Sequence, residues 1–252
     1  MTLKKMLAFM DEDDIREIAR EILKDNPDYE EIPLMELLPF MDEDDVDDIA
    51  LQIYHKEGYV SGILPFVSEE TAARLAREVI ENEENPDISA ILPFMDEDDV
   101  GDVARKMIAE GRGFTDKLLS KMLPFMDEDD VDDIAVDLYR QGGKIHDILP
   151  FVSEEGAGKL ARIVVELEEN PDIVAIMPFM DDDDIDEVFC YLARMEKTSE
   201  AMYPFVSDDG WHKVLKGYLN GEYEFDFDGA YPFMDDDDIR ELFRYEMKKH
   251  RD

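Results

Sequence analysis

Apolar residues recur along this chain at i, i+3, i+4, i+7 and i+8, the spacing that lines one face of an α-helix. One such stripe is Val46, Ile49, Ala50, Ile53 and Tyr54; the next is Ala72, Leu75, Ala76, Val79 and Ile80; a third is Val100, Val103, Ala104, Met107 and Ile108. The same phrase stands ahead of each: Leu-Pro-Phe-Met-Asp-Glu-Asp-Asp or a close variant. Its phenylalanine falls at Phe9, Phe40, Phe66, Phe94, Phe125, Phe151, Phe179, Phe205 and Phe233, at intervals of 31, 26, 28, 31, 26, 28, 26 and 28 residues. The first six intervals repeat as a cycle of three, and Leu38 to Phe66 matches Leu123 to Phe151 at 19 of 29 positions. Repetition on this scale marks a repeat architecture.

Each repeat opens on a strong helix start. Asp42 or Ser68 stands where an N-cap side chain accepts from the free backbone N–H groups, and Met41 or Val67 is placed to staple onto Val46 or Ala72. Stop signals follow about four turns later, at Asn26-Pro27, Gly58, Asn85-Pro86, Gly111, Gly142-Gly143, Asn170-Pro171 and Asn220-Gly221. A shorter apolar segment such as Ile88 to Leu92 then runs up to the next Pro-Phe, and proline is expected to end it.

A two-helix unit of this size cannot bury its apolar face alone, so stacking on its neighbours completes the core. The expected fold is all-α: an α-solenoid of nine short two-helix repeats of 26–31 residues, forming one helical-repeat domain over 1–252. The repeat is shorter than the roughly 34 residues of the tetratricopeptide unit or the roughly 40–47 of the HEAT unit, and it carries neither signature. One stripe position is Ala19, Ala50, Ala76, Ala104, Ala135 and Ala161 in six repeats, then Phe189, Leu215 and Phe243. Small residues let helices approach closely, so tight regular packing is expected over 1–165 and a wider, divergent arrangement over 166–252. In the last helix Glu246 replaces an apolar residue, as suits a terminal cap.

Charge alters the functional picture. The chain carries 67 Asp+Glu against 26 Lys+Arg, a formal net charge of −41, which argues against nucleic-acid and anionic-membrane partners. With 44% hydrophobic residues it still has the means to build a core. The single cysteine, Cys190, rules out a disulfide framework and a cysteine-rich zinc site. No apolar run approaches the roughly 18 residues of a membrane span, and residues 1–10 lack a signal-peptide pattern, so the expected compartment is the cytoplasm.

Much of the acid is placed in one way. Six helices open with four consecutive acids, beginning at Asp11, Asp42, Asp96, Asp127, Asp181 and Asp235; the other three open at Ser68, Ser153 and Ser207 with two acids each. Acids in a first turn favour the helix dipole by roughly 0.3–1 kcal/mol each, yet the serine-type starts manage with two. Two tetrads about 10 Å apart would repel by roughly 0.4 kcal/mol per charge pair in water before screening. The first carboxylate is expected to cap and the fourth to fold back on the backbone. This leaves Glu12/Asp13, Glu43/Asp44, Glu97/Asp98, Glu128/Asp129, Asp182/Asp183 and Asp236/Asp237 as candidate ligands for Ca²⁺ or another hard multivalent cation, or for a basic protein partner. No EF-hand loop is present, so a metal site would have to be shared between repeats, in the first and second or the fourth and fifth.

Other chemistry is sparse. His55, His146, His212 and His250 sit at unrelated repeat positions; Cys190 and Trp211 read as core; six methionines, Met10 to Met234, occupy the staple position. No phosphate-binding loop, nucleophile elbow or acid–base constellation is recognisable, and no motif calls for a cofactor. The expected function is therefore non-enzymatic: a binding or scaffold protein whose acidic helix starts take multivalent cations or a basic partner. The alternative is a solenoid in which the tetrads serve only capping and solubility.

Overall fold

The computed structural model describes residues 6–7, 9–25, 34–58, 60, 62–83, 86–110 and 116–249, and among them every regular element is helical. The chain divides into two compact parts, Met1–Asp127 and Glu128–Asp252. The first holds α1 (Glu12–Asp25), α2 (Leu34–Leu37), α3 (Glu43–Glu57), α4 (Glu69–Asn82), α5 (Glu97–Glu110) and α6 (Asp116–Met122). The second holds α7 (Glu128–Arg140), α8 (Glu154–Leu167), α9 (Asp182–Arg194), α10 (Asp208–Leu219) and α11 (Asp236–Lys249). Within each part helices pack on their neighbours in sequence: α3 on α4 and α4 on α5, then α7 on α8 and onward to α11. This is the all-α helical-repeat arrangement that the periodicity implies. No helix among the described residues is long and apolar enough to cross a membrane.

Among the described residues, nine long helices start where the cap residues stand. Asp42 accepts the Asp44 N–H and Ser68 the Thr71 N–H, and the staple residues Met95, Met126, Met180 and Met234 are buried. Gly58, Gly142 and Gly221 follow helix ends at φ +78°, +77° and +73°, the left-handed region that closes a helix without steric cost to glycine. The expected stops at Asn26-Pro27 and Gly111, and Asn85 of the stop at Asn85-Pro86, lie outside the described residues. Helix α9 ends without glycine, and Glu196 takes the left-handed conformation there at φ +57°.

The second element of the repeat differs from the expectation. Proline does not end it: Leu-Pro-Phe itself forms a single 3₁₀ turn, as at Leu38–Phe40 and Leu64–Phe66, with proline in its first turn, where its missing N–H leaves no bond unmade. Among the described residues a longer α-helix runs directly into a Leu-Pro-Phe turn at α2 and α6, in the two 31-residue intervals; the shorter intervals carry a bend and a 3₁₀ element, which at Glu200–Phe205 lengthens to six residues with Pro204 inside it. The leucine before proline is the core anchor, buried at Leu38, Leu64, Leu92, Leu123 and Leu149, while the phenylalanine after it is half-buried in most repeats.

Packing follows residue size. The six stripe alanines, Ala19 to Ala161, are fully buried, as are Phe189 and Leu215. Around Phe189 the C-terminal part fills its interior with rings: Phe189 and Tyr203 meet Trp211 edge-on at centroid separations of 5.2 and 5.0 Å, and Phe225 lies 4.8 Å from Phe227. The change from small to large residues thus falls inside the second part. Trp211 and Cys190 are buried, as expected, and burial raises the Cys190 thiol pKa.

One turn carries a pH signature. Asp87 accepts from the Ser89 N–H at 3.1 Å and from its hydroxyl, and Lys121 of α6 reaches Asp87 at 3.2 Å. These bonds, those of Ser89 foremost, hold the Asp87 carboxyl at about 2. A depressed carboxyl contributes stability that is complete above the ordinary aspartate range and is lost as pH falls towards 2. An NMR titration of the Asp87 carboxyl should show that low midpoint, and Ser89→Ala should move it upward; an ordinary midpoint in the parent protein would contradict the assignment.

Candidate functional site

Counting from each cap residue, the four members of a tetrad have separate roles. The first caps: Asp11, Asp42, Asp96, Asp181 and Asp235 each accept a backbone N–H two or three residues on, at 2.7–3.2 Å. The fourth, at cap+3, does not fold back on the backbone as expected. In four of the tetrads it receives a base from the preceding long helix. Arg16 and Arg20 of α1 reach Asp45 at 3.3 and 3.5 Å, Arg77 of α4 holds Asp99, Arg162 of α8 holds Asp184, and His212 Nδ1 of α10 lies 2.7 Å from Asp238. Folding back would gain an N–H already served by the cap, whereas the base lies across the joint with its charge uncompensated. The guanidinium pKa values register this: Asp45, then Asp13, raises that of Arg16, and Asp184 and Glu187 raise that of Arg162.

The serine-capped helices are joined by a different device. Asp47 of α3 accepts both the Ser68 N–H at 2.9 Å and its hydroxyl at 2.5 Å. Asp132 of α7 holds Ser153 in the same way at 2.8 and 2.5 Å, and Asp186 of α9 holds Ser207 at 3.1 and 2.6 Å. Each serine oxygen then accepts from the backbone of Thr71, Gly156 or Gly210, so the aspartate orients the cap through the hydroxyl. Asp132 and Asp186 are buried, and the glycines make their room: a Cβ on Gly156 or Gly210 would lie 2.1 or 2.2 Å from the carboxylate, and one on Gly158 only 1.7 Å from Asp184.

No single segment contains such a joint, because its partners lie 21 to 29 residues apart, but the repeats in register carry the signal. Helices that precede a tetrad bear Arg20, Arg77, Arg105, Arg162 or Lys216 at cap+9. Those that precede a serine cap have Asp47, Asp132 or Asp186 at cap+5 and the apolar Leu51, Val136 or Cys190 at cap+9. A base on one helix thus meets an acid on the next, and an acid meets a hydroxyl. His212 is exposed and at the same time occupies a joint; His55 pairs with Glu78 at 2.7 Å, His146 is exposed, and His250 lies outside the described residues.

Glu12, Asp13, Glu43, Asp44, Glu97, Asp98, Glu128, Asp129, Asp182, Asp183, Asp236 and Asp237 are all exposed. Asp13 and Asp237 make lateral pairs with Arg16 and Arg240 on their own helices. Among the described residues, no three His, Cys, Asp or Glu side chains are grouped to hold a metal ion. In the first and second repeats, one of the places where a shared cation was expected, Arg16 and Arg20 already neutralise Asp45. The fourth and fifth repeats contribute α5 and α7 to different compact parts. A separate recess of about 690 Å³ is again acidic, lined by Glu196, Glu200, Glu224 and Asp226 beside Tyr203, whose hydroxyl pKa is raised by burial.

Comparison of the chain with known protein families, curated proteins and solved structures gave no match.

Proposed function

We propose that this chain is a non-enzymatic helical-repeat binding protein whose exposed second and third helix-start carboxylates engage a basic protein partner. The observation that carries this reading is the division of labour within the tetrads. The first acid caps and the fourth, in four of the six tetrads, ties neighbouring helices, whereas the twelve between them are all exposed at a recurring position. Charge arrayed in this way steers and orients a complementary polycation. A hard cation such as Ca²⁺ is the other occupant these oxygens suit, but it needs six to eight oxygens at about 2.3–2.6 Å, whereas a basic polypeptide engages carboxylates that stand apart.

The test is binding of poly-L-lysine across a salt series to three proteins: the parent, a variant with the twelve acids changed to Gln or Asn, and a variant with twelve acids neutralised elsewhere, among them Glu17, Glu21, Asp133 and Glu169. The parent should bind in a steeply salt-dependent way, and the tetrad variant should lose at least ~10-fold in affinity, about 1.4 kcal/mol, while the control loses much less. Equal losses would leave net charge alone as the cause and favour the capping-and-solubility reading. A rise in Tm with millimolar Ca²⁺ beyond that of matched ionic strength would redirect the acids to cation binding.

A further inference from the structure

Within each compact part, one set of positions on a long helix faces the helix before it and another the helix after it. The fourth acid at cap+3 and the apolar residue at cap+7 face back; the residues at cap+5, cap+8 and cap+9 face forward, on the other side of the buried stripe. Two of these helices have a face with no neighbour among the described residues. In α1, Ile18 at cap+7 is half-buried, although cap+7 is buried in every other long helix, and the Asp14 carboxylate is exposed and meets no base among the described residues. In α11, Phe243 at cap+8 is 64% exposed, although cap+8 is buried in every other long helix, and Met247 is exposed beside it.

Charge says what fits the α11 face. Arg240 and Arg244 stand at cap+5 and cap+9, the positions of Arg16 and Arg20 in α1. Arg240 makes the same lateral pair, 2.7 Å from Asp237, that Arg16 makes with Asp13. Arg244 makes no ion pair among the described residues and carries the cap+9 base of a helix that precedes a tetrad. The complement is a tetrad helix with its back face open, and α1 is one. We propose that the α11 face of one copy receives the α1 face of a second copy, with Arg240 and Arg244 taking Asp14 as Arg16 and Arg20 take Asp45, and Phe243 covering Ile18. The two patches differ, so the contact is head-to-tail, and each copy keeps one face to offer to a further copy. It draws on cap+3 acids rather than on the second and third, and is independent of the basic-partner reading. Repulsion between chains of charge −41 opposes it at long range, so association should be stronger at physiological salt than at low salt.

Sedimentation equilibrium of the full chain over a concentration series up to about 1 mM, where a complex of about 4 kcal/mol is still detected, tests this. The weight-average mass of the parent should rise with concentration. Arg240→Glu/Arg244→Glu, which blocks the α11 face, and Asp14→Arg, which blocks the α1 face, should each weaken self-association at least ~10-fold, about 1.4 kcal/mol. Mixing the two should yield a 1:1 complex that grows no further, because each supplies the face that the other keeps. All the substituted side chains are exposed, and circular dichroism checks that both variants fold. A parent that stays monomeric throughout, blocked variants that associate as the parent does, or a mixture that forms no complex would each overturn the proposal.

Discussion

Asp186→Ala is expected to lower the stability of the C-terminal part by about 3 kcal/mol, the order of cost that follows removal of a buried charged hydrogen-bonding group. Asp186 is 1% exposed and accepts both the Ser207 N–H and the Ser207 hydroxyl, and that hydroxyl oxygen in turn accepts the Gly210 N–H that opens α10. Alanine strands two donors, empties the space of a carboxylate and frees the serine to rotate away from its capping position. Asparagine should cost less, since its carbonyl still serves the backbone N–H while its amide opposes only the hydroxyl. The same substitution should matter less at Asp132, at 6% exposure, and least at Asp47, which is half-buried and whose stranded donors meet water. Trp211, the single tryptophan, lies in α10 and gives the readout: its fluorescence through a urea transition, with unchanged m and a lower midpoint, reports this joint. An Asp186→Ala midpoint within error of the parent would mean that Ser207 caps α10 unaided.

The helices were legible because their determinants are local. Asp42 and Val46, or Ser68 and Ala72, lie within one turn of each other, and the apolar stripe repeats too often to be mistaken. The fate of Leu-Pro-Phe was less so: a proline after an apolar segment reads equally as the end of a helix or as the first turn of a new one, and only the length of the interval decides whether an α-helix also fits. The fourth acid was misplaced for a different reason. Its partner comes from another repeat, and nothing within the tetrad Asp42 to Asp45 distinguishes Asp45 from Asp44; the distinction lies in Arg16 and Arg20, more than twenty residues earlier.

This joint chemistry also explains why two kinds of helix start coexist. A tetrad after Asp132 or Asp186 would set a fourth carboxylate against a buried one, with no arginine at cap+9 of the helix before it to part them. Serine with glycine three residues on gives that aspartate two donors and a cavity instead. The acid content of each start is therefore tied to the residue at cap+5 or cap+9 of the helix before it, which fixes the order in which neighbouring helices pair.

Gly210→Ala should expose that dependence through its sign. In a helix, alanine for glycine ordinarily gains up to about 1 kcal/mol. Here the new Cβ would lie 2.2 Å from the Asp186 carboxylate and 2.7 Å from Val206, and Asp186 is short and held at both oxygens, so it cannot swing aside without releasing Ser207. A loss of about 2 kcal/mol is expected, the usual scale for overpacking a filled site. The protein contains a natural comparison: Thr71 occupies the equivalent place in α4, and there the aspartate, Asp47, stands further out and half-buried. The decisive measurement is the double variant. If Gly210 exists to seat Asp186, then Gly210→Ala in the Asp186→Ala background should cost nothing or stabilise, because the methyl enters space that the carboxylate has left, and the coupling energy should approach about 2 kcal/mol. Additive losses would instead place the cost of the methyl against Val206 and separate the glycine from the aspartate joint.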